Sequence, residues 1–143
     1  MNAIGKLACI GMLLLATQAA LAASAAGTWK TIDDETKQAK SLVEISEAPN
    51  GELSGKVVKL FNNPDVVCDK CDGALKGKPV VGMTIMTGLK KDGDGWENGK
   101  ILDPKSGKVY SAKAKLIEGG KRLEVRGFLG ISLLGRTQVW ERQ

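Results

Sequence analysis

The side chains best placed to do chemistry are two cysteines three residues apart, in Cys68-Asp69-Lys70-Cys71. Thiols at this spacing serve one of three ends. They close a local disulfide, which an oxidising compartment favours. They run thiol–disulfide exchange, which needs a depressed thiol pKa of the kind a helix N-terminus supplies. Or they form half of a zinc site, which takes four ligands. Asp65, Asp69 and Asp72 flank the pair and oppose thiolate formation, and Lys70 offsets only part of that charge. The third cysteine, Cys9, falls in an N-terminal apolar stretch, so no second pair is at hand for zinc. The residues favour a disulfide between Cys68 and Cys71, with exchange chemistry and metal binding as alternatives.

The chain has no histidine. Within one chain this excludes Ser–His and Cys–His nucleophile pairs and histidine zinc sites. It also removes the side chain best suited to proton transfer near neutral pH. No paired carboxylates stand out, and no glycine-rich phosphate loop joins a strand to a helix. No catalytic residue, metal set or cofactor is therefore expected, and the chain reads as a non-enzyme.

The remaining candidates belong to a binding site or to its frame. Tyr110, Met83 and Arg126 are candidate ligand contacts, although simple alternation turns Arg126 outward. Gly27-x-Trp29 opens the first strand and Arg136 the last. In a closed barrel those strands are neighbours, and a guanidinium over the indole face would seal the floor.

These residues are positioned by strands. Apolar residues do not recur at helical spacing over any long stretch, whereas alternating segments recur between Gly, Asn, Asp and Pro clusters. Strands are predicted over 27–32, 42–48, 53–61, 80–89, 96–102, 108–117, 122–129 and 136–142, with a long polar loop over 62–78 and a corner at 130–135. Tyr110, Ala112, Ala114 and Leu116 face one way while Ser111, Lys113 and Lys115 face the other, as in an antiparallel sheet with one wet face. About eight strands with short links argue for a barrel or a sandwich, and the fold class expected is all-β, an antiparallel up-and-down barrel of about eight strands, which leaves no open edge. The small inward residues Ala112 and Ala114 leave room for a cavity, unless large side chains opposite fill it.

The N-terminus reads as a cleaved signal peptide over 1–22. Lys6 supplies the positive start, Leu7–Ala16 the apolar run, and Ala20-Leu21-Ala22 a small-x-small cleavage pattern; Ala23-Ser24-Ala25 offers a second one. The run is shorter than the roughly 20 residues a spanning helix takes. One domain over 23–143 and a periplasmic or secreted location are expected. Twenty-one Lys and Arg against 16 Asp and Glu leave a formal charge of +5, scattered rather than blocked. With aromatic residues at 4%, this argues against nucleic acid as a partner and for a solvated surface.

Several segments together look familiar: Gly27-Thr28-Trp29, Leu53-x-Gly55, Pro79-Val80-Val81-Gly82, Trp96-x-x-Gly99, Asp103-Pro104 with Gly107-Lys108-x-Tyr110, Leu123-x-Val125-Arg126-Gly127, and Gly135-Arg136-Thr137-Gln138-x-Trp140. In this order they resemble the bacterial envelope family called domain of unknown function 2147. The resemblance implies a secreted, lipocalin-like barrel, and Gly27, Trp29 and Arg136 match the Gly-x-Trp start and late Arg of lipocalins. It implies no activity. The expected partner is a small, largely apolar ligand. A structural or interaction role in the envelope and a thiol–disulfide role for Cys68 and Cys71 are the alternatives.

Overall fold

The structure, a computed structural model, describes residues 24–131 and 135–143. The expected leader at 1–22 lies outside the described residues. Eight strands follow in chain order: β1 (Gly27–Ile32), β2 (Ala39–Glu47), β3 (Leu53–Leu60), β4 (Thr84–Asp92), β5 (Gly95–Asp103), β6 (Lys108–Ile117), β7 (Arg122–Phe128) and β8 (Gly135–Arg142). Each pairs antiparallel with the next and β8 returns to β1, so the sheet closes into a barrel. The fold is thus the expected all-β, eight-stranded antiparallel barrel, and not a sandwich.

Period-two patterning decides what faces in. On β6, Ala112 and Ala114 are buried while Lys115 is exposed. On β7, Leu123 and Val125 are buried. Antiparallel order gathers the starts of odd strands and the ends of even strands at one end of the barrel. Trp29, Leu53, Trp96, Leu123, Ile45 and Leu89, all in such positions, are each 2% exposed or less. They fill this end and make it a packed floor. The opposite end carries the loops after β1, β3, β5 and β7.

The ladder between β1 and β8 is short. It pairs Trp29 with Arg142 and Lys30 with Glu141, and a Lys30–Glu141 ion pair of 2.9 Å lies across it. Higher up, side chains replace the backbone bonds. The Asp34 carboxylate, in the loop after β1, accepts from Gln138 Nε2 at 2.9 Å and pairs with Arg136 Nε at 3.2 Å, both from β8.

Two strands differ from expectation by more than one residue at an end. β2 begins at Ala39, earlier than the predicted 42. The fourth strand is predicted over 80–89, but β4 spans Thr84–Asp92. Residues 80–83 instead fold back onto β3, where Gly82 N donates to Val57 O at 2.7 Å and Val57 N to Met83 O at 2.9 Å. Gly82 makes the turn at a φ of 93°, a region open to glycine at little cost.

Candidate functional site: an open barrel cavity

Above the floor lies a cavity of about 780 Å³, bordered by the loops of the open end. Its walls are largely apolar: Val57 and Leu60 from β3, Val80, Ile85 from β4, Ile101 and Leu102 from β5, Val125 and Phe128 around β7, and Trp140 from β8. The volume lies within the 300–1,000 Å³ range usual for small-molecule sites. Ala112 and Gly127, paired across β6 and β7, present little bulk on the inner side there.

Polar groups interrupt the apolar wall at a few places. Thr31 Oγ1 and Ser41 Oγ, each 6% exposed, share a hydrogen bond of 2.6 Å between β1 and β2. Two hydroxyls carry two protons, and this bond uses one, leaving the other for a guest or water. Trp140 Nε1 donates to Gln138 Oε1 at 3.1 Å, and Gln138 in turn donates to Asp34. The Gln138 amide is thereby held at both ends. Tyr110 lines the same cavity from β6. At the mouth stand Asp33, Lys40, Asp103, Lys105 and Arg136. The Asp33 carboxyl is held below its ordinary pKa, chiefly by the backbone N–H of Thr36, and lesser contributions come from the Glu35 N–H and the Lys40 charge.

The cysteine loop forms one side of this mouth. Cys68 and Cys71 stand as a disulfide pair with Cα atoms 5.4 Å apart. The surrounding loop is stitched by Cys68 N to Lys78 O at 2.8 Å, Gly77 N to Cys68 O at 2.8 Å and Val80 N to Val66 O at 3.1 Å. It packs on the β5–β6 turn. Cys68 Sγ sits 3.3 Å from the Pro104 carbonyl oxygen, and a Cβ on Gly107 would strike Lys70 O. Val66 and Val67 on the loop and Asp103–Lys105 on the turn all border the cavity. The cysteines are 0% and 3% exposed, which hinders the approach of an attacking thiolate. Among the described residues no three His, Cys, Asp or Glu side chains are grouped to hold a metal.

Of the three candidate ligand contacts, Tyr110 lines the cavity. Met83 does not: it lies before β4, 5% exposed, packed into the core. Arg126 does not either. It sits opposite Lys113 and Thr137 on outward positions and donates to Thr137 Oγ1 at 2.8 Å, as alternation implies.

The barrel-closing cation also needs correction. The guanidinium over Trp29 belongs to Arg142, with its carbon 4.3 Å from the ring centroid. Arg136 stands at the other end of β8, at the mouth, paired with Asp34. The reason is polarity: an antiparallel neighbour sets its last residues against the first residues of β1. Arg142 also donates to Gly120 O at 2.8 Å, Ala26 O at 3.0 Å and Ser24 O at 2.6 Å, tying three chain segments together. Trp29 Nε1 donates to Ala25 O at 2.8 Å. Gly27, at a φ of 135°, leaves the space Arg142 uses, since a Cβ there would lie 3.1 Å from its Nη1.

The sequence alone does not single out Thr31, Ser41, Asp34, Gln138 or Arg142. For Thr31 and Ser41 a signal is present: both hold inward positions among apolar neighbours, in Trp29-x-Thr31 and Ser41-x-Val43-x-Ile45.

A closed eight-stranded antiparallel barrel with a packed floor and an open apolar cavity is a lipocalin-like fold. The solved structure described as "Protein HP1028 from the human pathogen Helicobacter pylori belongs to the lipocalin family" superposes with a TM-score of 0.74 at 18% identity, over 84% of this chain and 83% of that one. At that identity the likeness is one of fold. The chain belongs to the family described as "Uncharacterized protein conserved in bacteria (DUF2147)", which matches residues 27–142. No curated protein matches the chain.

Proposed function

We propose that this protein is an exported binding module that holds a small, largely apolar molecule in the open end of its barrel. The observation that carries this reading is the cavity of about 780 Å³ with apolar walls and a few fixed polar groups. Export rests on the leader pattern ending at Ala22, and the Cys68–Cys71 pair suits an oxidising compartment. A binding role without catalysis fits the lack of histidine and the burial of both cysteines.

The test pairs occupancy with competition. Native mass spectrometry of the protein purified from the periplasm should show a reproducible small adduct that organic solvent extracts. The neutral dye N-phenyl-1-naphthylamine should brighten on binding, and an Ile85→Trp variant, which narrows the cavity, should weaken that signal while keeping the barrel's circular dichroism. A clean apo mass together with dye binding indifferent to Ile85→Trp would remove the reading. The exposed apolar residues Phe61, Val66, Val67, Leu75, Leu129 and Ile131 all lie in loops of the open end. They favour a second reading, an envelope interaction protein that docks through this end. Loss of a co-purifying protein on Leu129→Asp would support it.

A further inference from the structure

We infer that the guest carries an uncharged carbonyl, as a ketone or an ester does, and buries it low in the barrel against the paired hydroxyls of Thr31 and Ser41. This rests on the cavity-binding reading above and adds the polar chemistry of the buried part.

The two hydroxyls stand close to the floor. Thr31 is the next inward residue above Trp29 on β1, and Ser41 the next above Val43 on β2; Trp29 and Val43 are themselves fully buried. The register sets Thr31 directly opposite Ser41. Their mutual bond of 2.6 Å uses one hydroxyl proton, and neither hydroxyl bonds to any other group among the described residues. One proton is therefore unspent at a site only 6% exposed. Gln138 borders the same cavity from β8, the other neighbour of β1. Its Oε1 accepts from the Trp140 indole and one N–H of its Nε2 goes to Asp34, which leaves a second N–H. The Tyr110 hydroxyl differs, because Tyr110 stands near the start of β6, toward the open end, and is only partly buried.

The wall built by β1, β2 and β8 thus has donors to spare. A spare oxygen lone pair costs little, whereas a buried O–H or N–H left unpaired costs the desolvation of that group. Water can serve these donors, and a guest that displaces it must replace the bond or lose affinity. A hydrocarbon cannot replace it. A carbonyl oxygen can, since it accepts at two lone pairs and brings no proton of its own. The group is uncharged because nothing at this level replaces the hydration of an ion. The charged lining residues stand at the mouth, and beside Gln138 the charges of Asp34 and Arg136 are spent on each other at 3.2 Å.

The experiment compares hexanophenone, hexylbenzene and 4-pentylbenzoate, which share one carbon count and carry a ketone, no polar group and a carboxylate. Each displaces N-phenyl-1-naphthylamine from the wild type and from a Thr31→Val/Ser41→Ala variant. Removing both hydroxyls together strands neither of them, so the variant keeps the barrel, and its binding of hexylbenzene reports this. The expected result is that the substitutions weaken hexanophenone about five- to ten-fold and change hexylbenzene by less than about two-fold. Thr31→Ser, which keeps a hydroxyl, should leave both affinities within about two-fold. The infrared carbonyl stretch of bound hexanophenone should lie below its value in hexane and rise toward it in the double variant. 4-Pentylbenzoate should bind the wild type more weakly than the ketone does. Equal changes for ketone and hydrocarbon, or none, would overturn the carbonyl and leave the cavity reading standing. So would a carbonyl stretch that the double variant leaves in place, or a benzoate that binds more tightly than the ketone. Failure of all three ligands to displace the dye from the wild type would overturn both.

Discussion

The Arg142 guanidinium lies over the Trp29 indole, 4.3 Å from its centroid, and joins the last residues of the barrel to the first. The contact closes the floor where the β1–β8 ladder is only a few residues long. Arg142→Ala removes the cation–π contact and three hydrogen bonds to backbone carbonyls. The expected loss is about 2–4 kcal/mol of unfolding free energy, read by chemical denaturation. Arg136→Ala, at an exposed ion pair, should cost less than about 1 kcal/mol. The opposite ranking would return the floor cation to Arg136. Arg142→Lys should recover only part of the loss, since an ammonium cannot reach three carbonyls from one plane.

Asp34 does for the upper seam what the ladder does for the lower one. Its carboxylate takes both Gln138 Nε2 and Arg136 Nε. Asp34→Ala should cost about 1–2 kcal/mol. Hydrogen exchange should quicken in the first half of β8 and leave the paired residues Trp29 and Arg142 protected. Uniform acceleration across the barrel would mean that Asp34 supports global stability rather than the seam.

Much of this architecture is legible in the residues, and the reasons are physical. Alternation in Tyr110-x-Ala112-x-Ala114 and Leu123-x-Val125 reports directly which face is buried, so strand identity follows, whereas a sandwich would show the same alternation and closure rests on the pairing of β8 with β1. Register is less visible. Choosing Arg136 over Arg142 treats two strand starts as neighbours, although antiparallel pairing sets a start against an end. Met83 is misplaced because Val80-Val81 reads as strand, while the bonds of Gly82 and Met83 to Val57 draw this segment into a turn. The polar wall is harder to see. Thr31 and Ser41 sit 10 residues apart in the chain, and it is the β1–β2 register that sets them directly opposite each other.

The Cys68–Cys71 loop should behave as a staple and not as a redox centre. The sulfurs are buried, and the bridge spans a separation of only three residues. Chain entropy for so short a loop amounts to about 2 kcal/mol. A Cys68→Ser/Cys71→Ser variant should lose about that much and should bind the dye more weakly as Val66 and Val67 loosen at the mouth. The native protein should react slowly with dithiothreitol until denaturant is added. Rapid reduction under native conditions would restore the exchange chemistry.

Acid should weaken the seam in a definite window. The Glu141 carboxyl is held below its ordinary range, first by its hydrogen bond to Lys30 and then by the Lys30 charge. A carboxylate with a depressed folded-state value contributes stability that is complete above its unfolded value and is lost as pH falls through the folded one. The contribution should therefore be constant from pH 7 to about 5 and fade as the pH falls below the ordinary carboxylate range. Because both partners are about a third exposed, screening keeps it below about 1 kcal/mol. A Glu141→Gln variant should be less stable than the wild type at pH 7 and match it at about pH 2.5 in urea denaturation. A gap that persists at low pH would show that packing of the Glu141 stem, not its charge, supports the strand.

The tightest steric constraint lies where the disulfide loop meets the β5–β6 turn. Gly107 has a φ of 73°, and a Cβ there would strike the Lys70 carbonyl. Gly107→Ala meets strain and a backbone clash together, so about 2 kcal/mol or more should be lost. Gly130, with a φ of 73° as well, has nothing within 4 Å of such a Cβ among the described residues. Gly130→Ala therefore isolates the backbone term, and about 1 kcal/mol is expected. The difference between the two variants measures the loop-on-turn contact. In the Gly107→Ala variant the loop must lift from the turn, so dye affinity should fall along with stability, whereas Gly130→Ala should leave it within about two-fold. Equal stability losses in both variants would show that the Cys68–Cys71 loop rests on the turn without being held by it.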